Sequence, residues 1–131
     1  MAEGPNWNEM LGKFSEMGLL AKQLYVYFTK PTNGLGPVME NVEEHLKYQH
    51  EIEQKGIMVA AGPFADPEGQ HMTGEGMIII RAGSLEEARA IADADPMHKA
   101  GARSYELRPW CMNEGKITIE VTFSDGGRTV V

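Results

Sequence analysis

Two ionisable residues occupy positions where the helical pattern calls for apolar ones. The stretch "VEEHLKYQHEIEQKG" (42–56) reads as an amphipathic helix. Val38, Val42, Leu46 and Ile52 recur on one side, and Glu43, Glu44, Lys47, Glu51 and Lys55 on the other. His45 falls among the apolar set, three residues after Val42 and seven before Ile52. A second stripe runs through Leu85, Ala88, Ile91 and Ala92, and the next position on its arc is Asp95. If both helices pack on one sheet face, His45 and Asp95 can meet beneath them. A carboxylate bonded to one imidazole nitrogen fixes the tautomer and leaves the other nitrogen free to move protons. That is general acid–base chemistry with no cofactor.

Plainer readings stand beside this one. Asp95 precedes Pro96, the pairing of an N-cap with a first helical residue, so "DPMHKAG" can form one short capped turn. A buried histidine can also be satisfied by a backbone carbonyl and do no chemistry. Capping and ring contact are compatible for Asp95, because one oxygen can cap while the other faces the ring. Tyr48, at the edge of the first stripe, is placed either to line the same pocket with its hydroxyl or to keep a wet tip at the boundary. Gly62 and Pro63 close a strand and would shape the pocket backbone, since glycine allows close approach.

His50 lies on the opposite edge of the helix from His45, five residues away, which is not the i,i+4 spacing of a metal clamp. His71 lies in a long loop and His98 in the turn after Asp95. Four scattered histidines and one cysteine give no metal spacing, so no metal site is expected. Cys111 has no basic neighbour nearer than Arg108 and reads as inert. "NGLGP" lacks the Lys-Ser/Thr of a phosphate loop and reads as a turn, and the nine methionines read as core or interface filler.

The elements that would position these residues follow from the pattern. Trp7, Met10, Leu11, Phe14 and Met17 recur at helical spacing within residues 1–21. Leu24–Phe28 is a strand, "KPTNGLGP" a loop, and Val38–Lys55 a helix ending at a left-handed Gly56. A strand over Ile57–Ala61 ends at Gly62-Pro63. The polar segment 64–76 follows as a loop and candidate lid, then a strand over Met77–Ile80. "SLEE" opens the next helix as a capping box, with Glu87 reaching back to Ser84. "SYELRPW" is a fourth strand whose Pro109 points to a sheet edge. "KITIEVTF", "SDGG" and "RTVV" form a C-terminal hairpin.

The order strand-helix-strand, twice, gives an α+β, ferredoxin-like βαββαβ protomer with an antiparallel sheet and both helices on one face. The expected division is 1–21 as an N-terminal extension, 22–112 as the ferredoxin-like domain, and 113–131 as the C-terminal hairpin extension. The face away from the helices then needs cover, and a homodimer packed sheet to sheet supplies it.

Bulk properties narrow the function classes. The chain has 131 residues, a formal net charge of −7 and one cysteine. The acidic balance argues against nucleic-acid and anionic-membrane partners. A single cysteine cannot close an intrachain disulfide, which points to a reducing, cytoplasmic setting. Neither a membrane-spanning apolar run nor a signal-peptide pattern is visible.

Three separated segments carry a family resemblance: "HLKYQHEIEQKGIMVAAGPF", "GEGMIIIRAGSLEEARAIADADPMHKAG" and "YELRPW". Their marks are the helix histidine with a tyrosine three later, Gly-x-x-x-x-x-Gly-Pro, Ser-x-x-Glu-Ala, Ala-Asp-Pro and Arg-Pro-Trp. Over roughly 24–110 the chain resembles the YCII-related (YciI-like) family of small dimeric α+β barrel proteins. The resemblance implies a ferredoxin-like protomer pairing sheet to sheet, and a pocket whose His and Asp, proposed as the family's active site, fall on His45 and Asp95. One branch of the family removes chloride from a chlorinated hydroxyhydroquinone, and the fold is similar to that of muconolactone isomerase. The terminal extensions lie outside the usual family core, and the pattern assigns no role to His98.

The expected function is that of a small cofactor-free enzyme of lyase or isomerase type, acting on a small cyclic or phenolic compound. His45 would be the base or acid, Asp95 its orienter, and Tyr48, Gly62 and Pro63 the substrate contacts. The alternatives are a non-catalytic ligand-binding or accessory dimer using the same pocket, and a structural dimer in which the pair is only a buried polar contact.

Overall fold

The computed structural model describes residues 3–131, which divide into two compact units. The larger spans Gln23–Trp110 and contains a four-stranded sheet. The other gathers the N-terminal residues through Lys22 and Cys111–Val131.

In the larger unit, β1 (Lys22–Pro31) is followed by α2 (Gly36–Gln54), α1 being the N-terminal helix Trp7–Glu16. Then come β2 (Met58–Ala65), β3 (Met72–Ile80), α3 (Leu85–Asp93), the short α4 (Pro96–Lys99) and β4 (Arg103–Met112). The strand order is β2-β3-β1-β4, with antiparallel pairing of β1 to β3 and of β2 to β3. This is the ferredoxin-like arrangement that two right-handed βαβ crossovers produce. Pro63 of β2 and Pro109 of β4 lie on the two edge strands, where a missing N–H is tolerated, and the proline of central β1, Pro31, is its last residue.

Strand alternation sorts the side chains. Tyr25, Tyr27 and Thr29 of β1 pair with Ile80, Ile78 and Gly76 of β3. Tyr25, Tyr27, Ile78 and Ile80 join Ala88 and Ala92 of α3 in the main core. The small alanines let α3 sit close to the sheet. A second cluster of Val38, Met97 and Ala102 ties α2 to α4 and the approach to β4. The alternate positions include Phe28, Phe64 and Trp110, each about 40 % exposed.

The strands are longer than the sequence pattern gave. Strand β2 continues through Gly62-Pro63 to Ala65, and β3 begins at Met72. The segment read as a lid over 64–76 is therefore mostly β-ladder, with a six-residue connection at 66–71 held by Asp66, which accepts from the Gln70 N–H. The register shifts between Met58 and Ala60 and between Pro63 and Ala65 absorb the irregularity.

Helix α2 ends as expected, with Lys55 as the last capping residue and Gly56 at φ 74°. Its stripe differs from expectation at Leu46, which is 59 % exposed, while Val38 and Ile52 are buried. At the start of α3, Ser84 accepts from the Glu87 N–H, but the Glu87 carboxylate accepts from Gly83 N–H, one residue beyond the usual box partner.

In the smaller unit, α1 is capped by Asn6, which accepts from Glu9 N–H. Strands β5 (Ile119–Val121) and β6 (Arg128–Val130) form the antiparallel C-terminal hairpin.

Candidate functional site

Pro96 is the local cause of the site. A proline disfavours helical backbone at the residue before it, so α3 stops at Asp93 and Asp95 takes φ −63°, ψ 128°. That extended conformation turns the Asp95 carboxylate into the first turn of α4, where Oδ1 accepts from the Met97 N–H at 2.9 Å. Asp95 is 1 % exposed. A carboxylate so deeply placed needs further donors. His45 supplies one from α2, with Nδ1 2.9 Å from both Oδ1 and Oδ2.

Both expectations for Asp95 therefore hold in the geometry: it caps a helix and it holds the ring. Because a carboxylate only accepts, Nδ1 carries the proton. The ring nitrogen that Asp95 does not engage is Nε2. It belongs to a side chain 18 % exposed that lines a cleft of about 240 Å³.

Sheet and helix both build this cleft. Strand β2 contributes Ala61, Gly62 and Pro63, and β3 contributes Gly76 and Ile78. At Gly76 a methyl group would come within 3.3 Å of the Gly62 carbonyl and 3.6 Å of Thr29 Cγ2, so glycine leaves room where the chain needs it. Leu46, out of the core, is at the cleft instead.

Tyr48 takes a different place from the expected one. Its hydroxyl donates to the Ile91 carbonyl at 2.7 Å and it is not among the residues lining the cleft. Burial, with the charges of Asp95 and Glu51, pushes its pKa up to about 12. Tyr48 thus ties α2 to α3, which fixes His45 relative to Asp95. Tyr27 lies deeper still, with its hydroxyl without a hydrogen-bond partner, and burial then Asp95 raise its pKa strongly.

Three cleft residues were not singled out by sequence pattern. His98 donates from Nδ1 to the Ala92 carbonyl at 2.6 Å, so its Nε2 accepts from the Thr29 hydroxyl at 3.0 Å. Its ring lies 4.7 Å from that of Tyr105. Arg103 donates to the Gly74 carbonyl. Thr29 and Arg103 sit at strand ends beyond the boundaries that hydrophobic alternation gives. Their signal was the alternation itself: Thr29 continues Tyr25 and Tyr27, and Arg103 precedes Tyr105 and Leu107.

Among the described residues, no three His, Cys, Asp or Glu side chains come together as metal ligands, and no helix is long and apolar enough to cross a membrane.

A family model, the YCII-related domain, matches residues 24–111. The chain belongs to the YCII-related family. The match covers the larger unit from its second residue onward, with both halves of the His45–Asp95 pair. A relative is the uncharacterized protein YjpA of Bacillus subtilis (strain 168), 31% identical over 71 residues, covering 54% of this chain and 76% of that one. Among solved structures, the YCII-related chain is similar to 5-chloro-2-hydroxyhydroquinone dehydrochlorinase (TftG) from Burkholderia phenoliruptrix AC1100, determined in complex with 2,5-dihydroxybenzoquinone. The TM-score is 0.54 and the identity 25%, over 66% of this chain and 92% of that one.

Proposed function

We propose that this protein is a cofactor-free enzyme of lyase or isomerase type, with His45 transferring a proton on a small cyclic or phenolic substrate. The observation that carries the reading is the single-sided use of the His45 ring: Nδ1 is held by a buried carboxylate, and Nε2 belongs to a ring at an open cleft. In the resting state Nε2 has a lone pair and acts as base. Once it has taken the proton, the imidazolium is stabilised by Asp95 and becomes the acid that returns it.

In an elimination, the proton leaves the substrate for Nε2, its electron pair forms the new π bond, and the leaving group departs with its own pair. In an isomerisation the same proton returns at another atom of the substrate. A cleft of about 240 Å³ suits one substituted six-membered ring, since a cavity of roughly 150 Å³ holds benzene. The similarity to a dehydrochlorinase holding a dihydroxybenzoquinone supports that size and class. The exposed Phe28, Phe64 and Trp110 of the sheet support pairing of two copies through that face.

The test is a screen for turnover on chlorinated hydroquinones, for chloride release, and on unsaturated lactones, for isomerisation. An active compound is then given to His45→Ala, whose rate should fall about 10²- to 10⁴-fold. Undiminished turnover by that variant would falsify the assignment.

A further inference from the structure

We infer that Arg103 sets the substrate class: it receives an oxyanion, a carboxylate or a ring enolate, of the molecule that occupies the His45 cleft. This rests on the proposed ligand cleft but not on the proton transfer itself. Among the described residues, Arg103 is the only lysine or arginine lining the cleft, and it takes part in none of the ion pairs. One guanidinium N–H reaches the Gly74 carbonyl. The fork has five donors, so it can hold that carbonyl and still present others to an acceptor.

The position is partly dehydrated, and burial lowers the guanidinium pKa, with the charge of Asp95 offsetting part of this. Asp95 itself is taken up by His45 and Met97. A half-buried cation with no carboxylate in ion-pair contact recovers only part of its desolvation cost from the Gly74 carbonyl and the charge of Asp95. An anionic ligand would return the rest. The remaining charged lining residue, Glu75, is exposed, accepts from the Thr73 hydroxyl and forms no ion pair with Arg103. His98 is committed to Ala92 and Thr29 and brings no free donor. The chain's net charge of −7 offers anions no general attraction, so any preference must come from this cleft.

The chemistry fits the reaction class. A proton abstracted by His45 leaves negative charge on a substrate oxygen, and a fixed guanidinium is placed to donate N–H bonds to it.

Binding is measured by calorimetry at pH 7.5 with two probe pairs: 2,5-dihydroxybenzoquinone, ionised at this pH, against neutral hydroquinone, and benzoate against benzyl alcohol. Wild type should prefer the anion of at least one pair by about tenfold or more. Arg103→Gln should remove that preference while changing the neutral compound's affinity less than about threefold, and Arg103→Lys should restore part of it. Far-ultraviolet circular dichroism checks that each variant is folded. Equal loss of both members of a pair in Arg103→Gln and Arg103→Lys would reduce Arg103 to a clamp on Gly74 and overturn the inference. So would a wild type that prefers neither anion. Failure of proton transfer is read separately, in His45→Gln, which should lose turnover and keep the anion preference.

Discussion

Replacing Asp95 by asparagine separates holding the ring from capping the helix. The carboxylate serves two donors, the His45 Nδ1–H and the Met97 N–H, at 2.9 Å each. An asparagine has one oxygen to give. If that oxygen takes the Oδ2 place, it keeps His45 alone, and the buried Met97 N–H faces the amide NH₂ and loses its acceptor, at a cost of about 1–3 kcal/mol. If it takes the Oδ1 place, it keeps the Met97 N–H, and the amide NH₂ stands in the Oδ2 place, 2.9 Å from Nδ1, where the ring N–H would meet a second donor. The ring then relaxes by moving its proton to Nε2, so that Nδ1 accepts from the amide. That exchange gives up a charge-assisted bond of roughly 1.5–3 kcal/mol for a neutral one of about 1, a net loss near 1 kcal/mol. The second arrangement is the cheaper, and it makes Nε2 a donor, unable to act as base.

Stability should therefore fall by only about 1 kcal/mol, while turnover falls about 10³- to 10⁴-fold, equivalent to roughly 4–5.5 kcal/mol of barrier. Long-range ¹H–¹⁵N spectra of the histidine rings read the tautomer without any substrate. Wild type should carry the proton on Nδ1, and Asp95→Asn on Nε2. Urea denaturation gives the stability change. Two results refute the reasoning: an Nε2–H tautomer in wild type, or an Asp95→Asn ring that keeps its proton on Nδ1 and its full rate.

Three further outcomes follow from other contacts. Tyr27→Phe should leave stability unchanged or raise it by up to about 1 kcal/mol, because the buried hydroxyl it removes has no hydrogen-bond partner; thermal unfolding reads this. Gly74→Ala should destabilise by about 1–2 kcal/mol or more in urea titration, since Gly74 has φ 92° and a methyl there would stand 2.7 Å from Pro31 Cγ. Tyr48 ionises near 12 in the fold against 10.0 as a free side chain, so between those values the unfolded chain releases a proton that the native one keeps. Stability from this group is complete below pH 10 and is lost as the pH rises toward 12; Tyr48→Phe should flatten that alkaline loss in denaturation series.

The legible part of the site was the part written in helices. His45 and Asp95 each interrupt a 3.6-residue apolar period, and a break in a strong period stands out over several turns. The Asp-Pro step also announced its own geometry, because proline restricts the residue before it whatever the tertiary context. The strand-borne members were harder to see. A period of two needs apolar residues to declare it, and β1 passes from Phe28 to Thr29, while in β3 the opening Met72 is followed by Thr73, Gly74, Glu75 and Gly76. These stretches are strands by pairing with their neighbours, not by propensity. The same cause hid Arg103 at the first residue of β4 and turned half of a hairpin into an apparent lid. The place of Tyr48 is hidden for another reason. Its position beside His45 was readable from spacing, but the carbonyl that its hydroxyl meets belongs to α3, and nothing local to either helix records that encounter.

The double duty of Asp95 carries a consequence for how such chains diverge. A lineage that abandons the chemistry still needs α4 to start at Pro96, and the aspartate does that work whether or not an imidazole faces it. His45, on the exposed side of the pair, is under no comparable obligation to the fold. Descendants that have lost activity should therefore betray themselves at the histidine and keep the aspartate, and an inventory of this fold that scores the acid alone would count silent members as active ones.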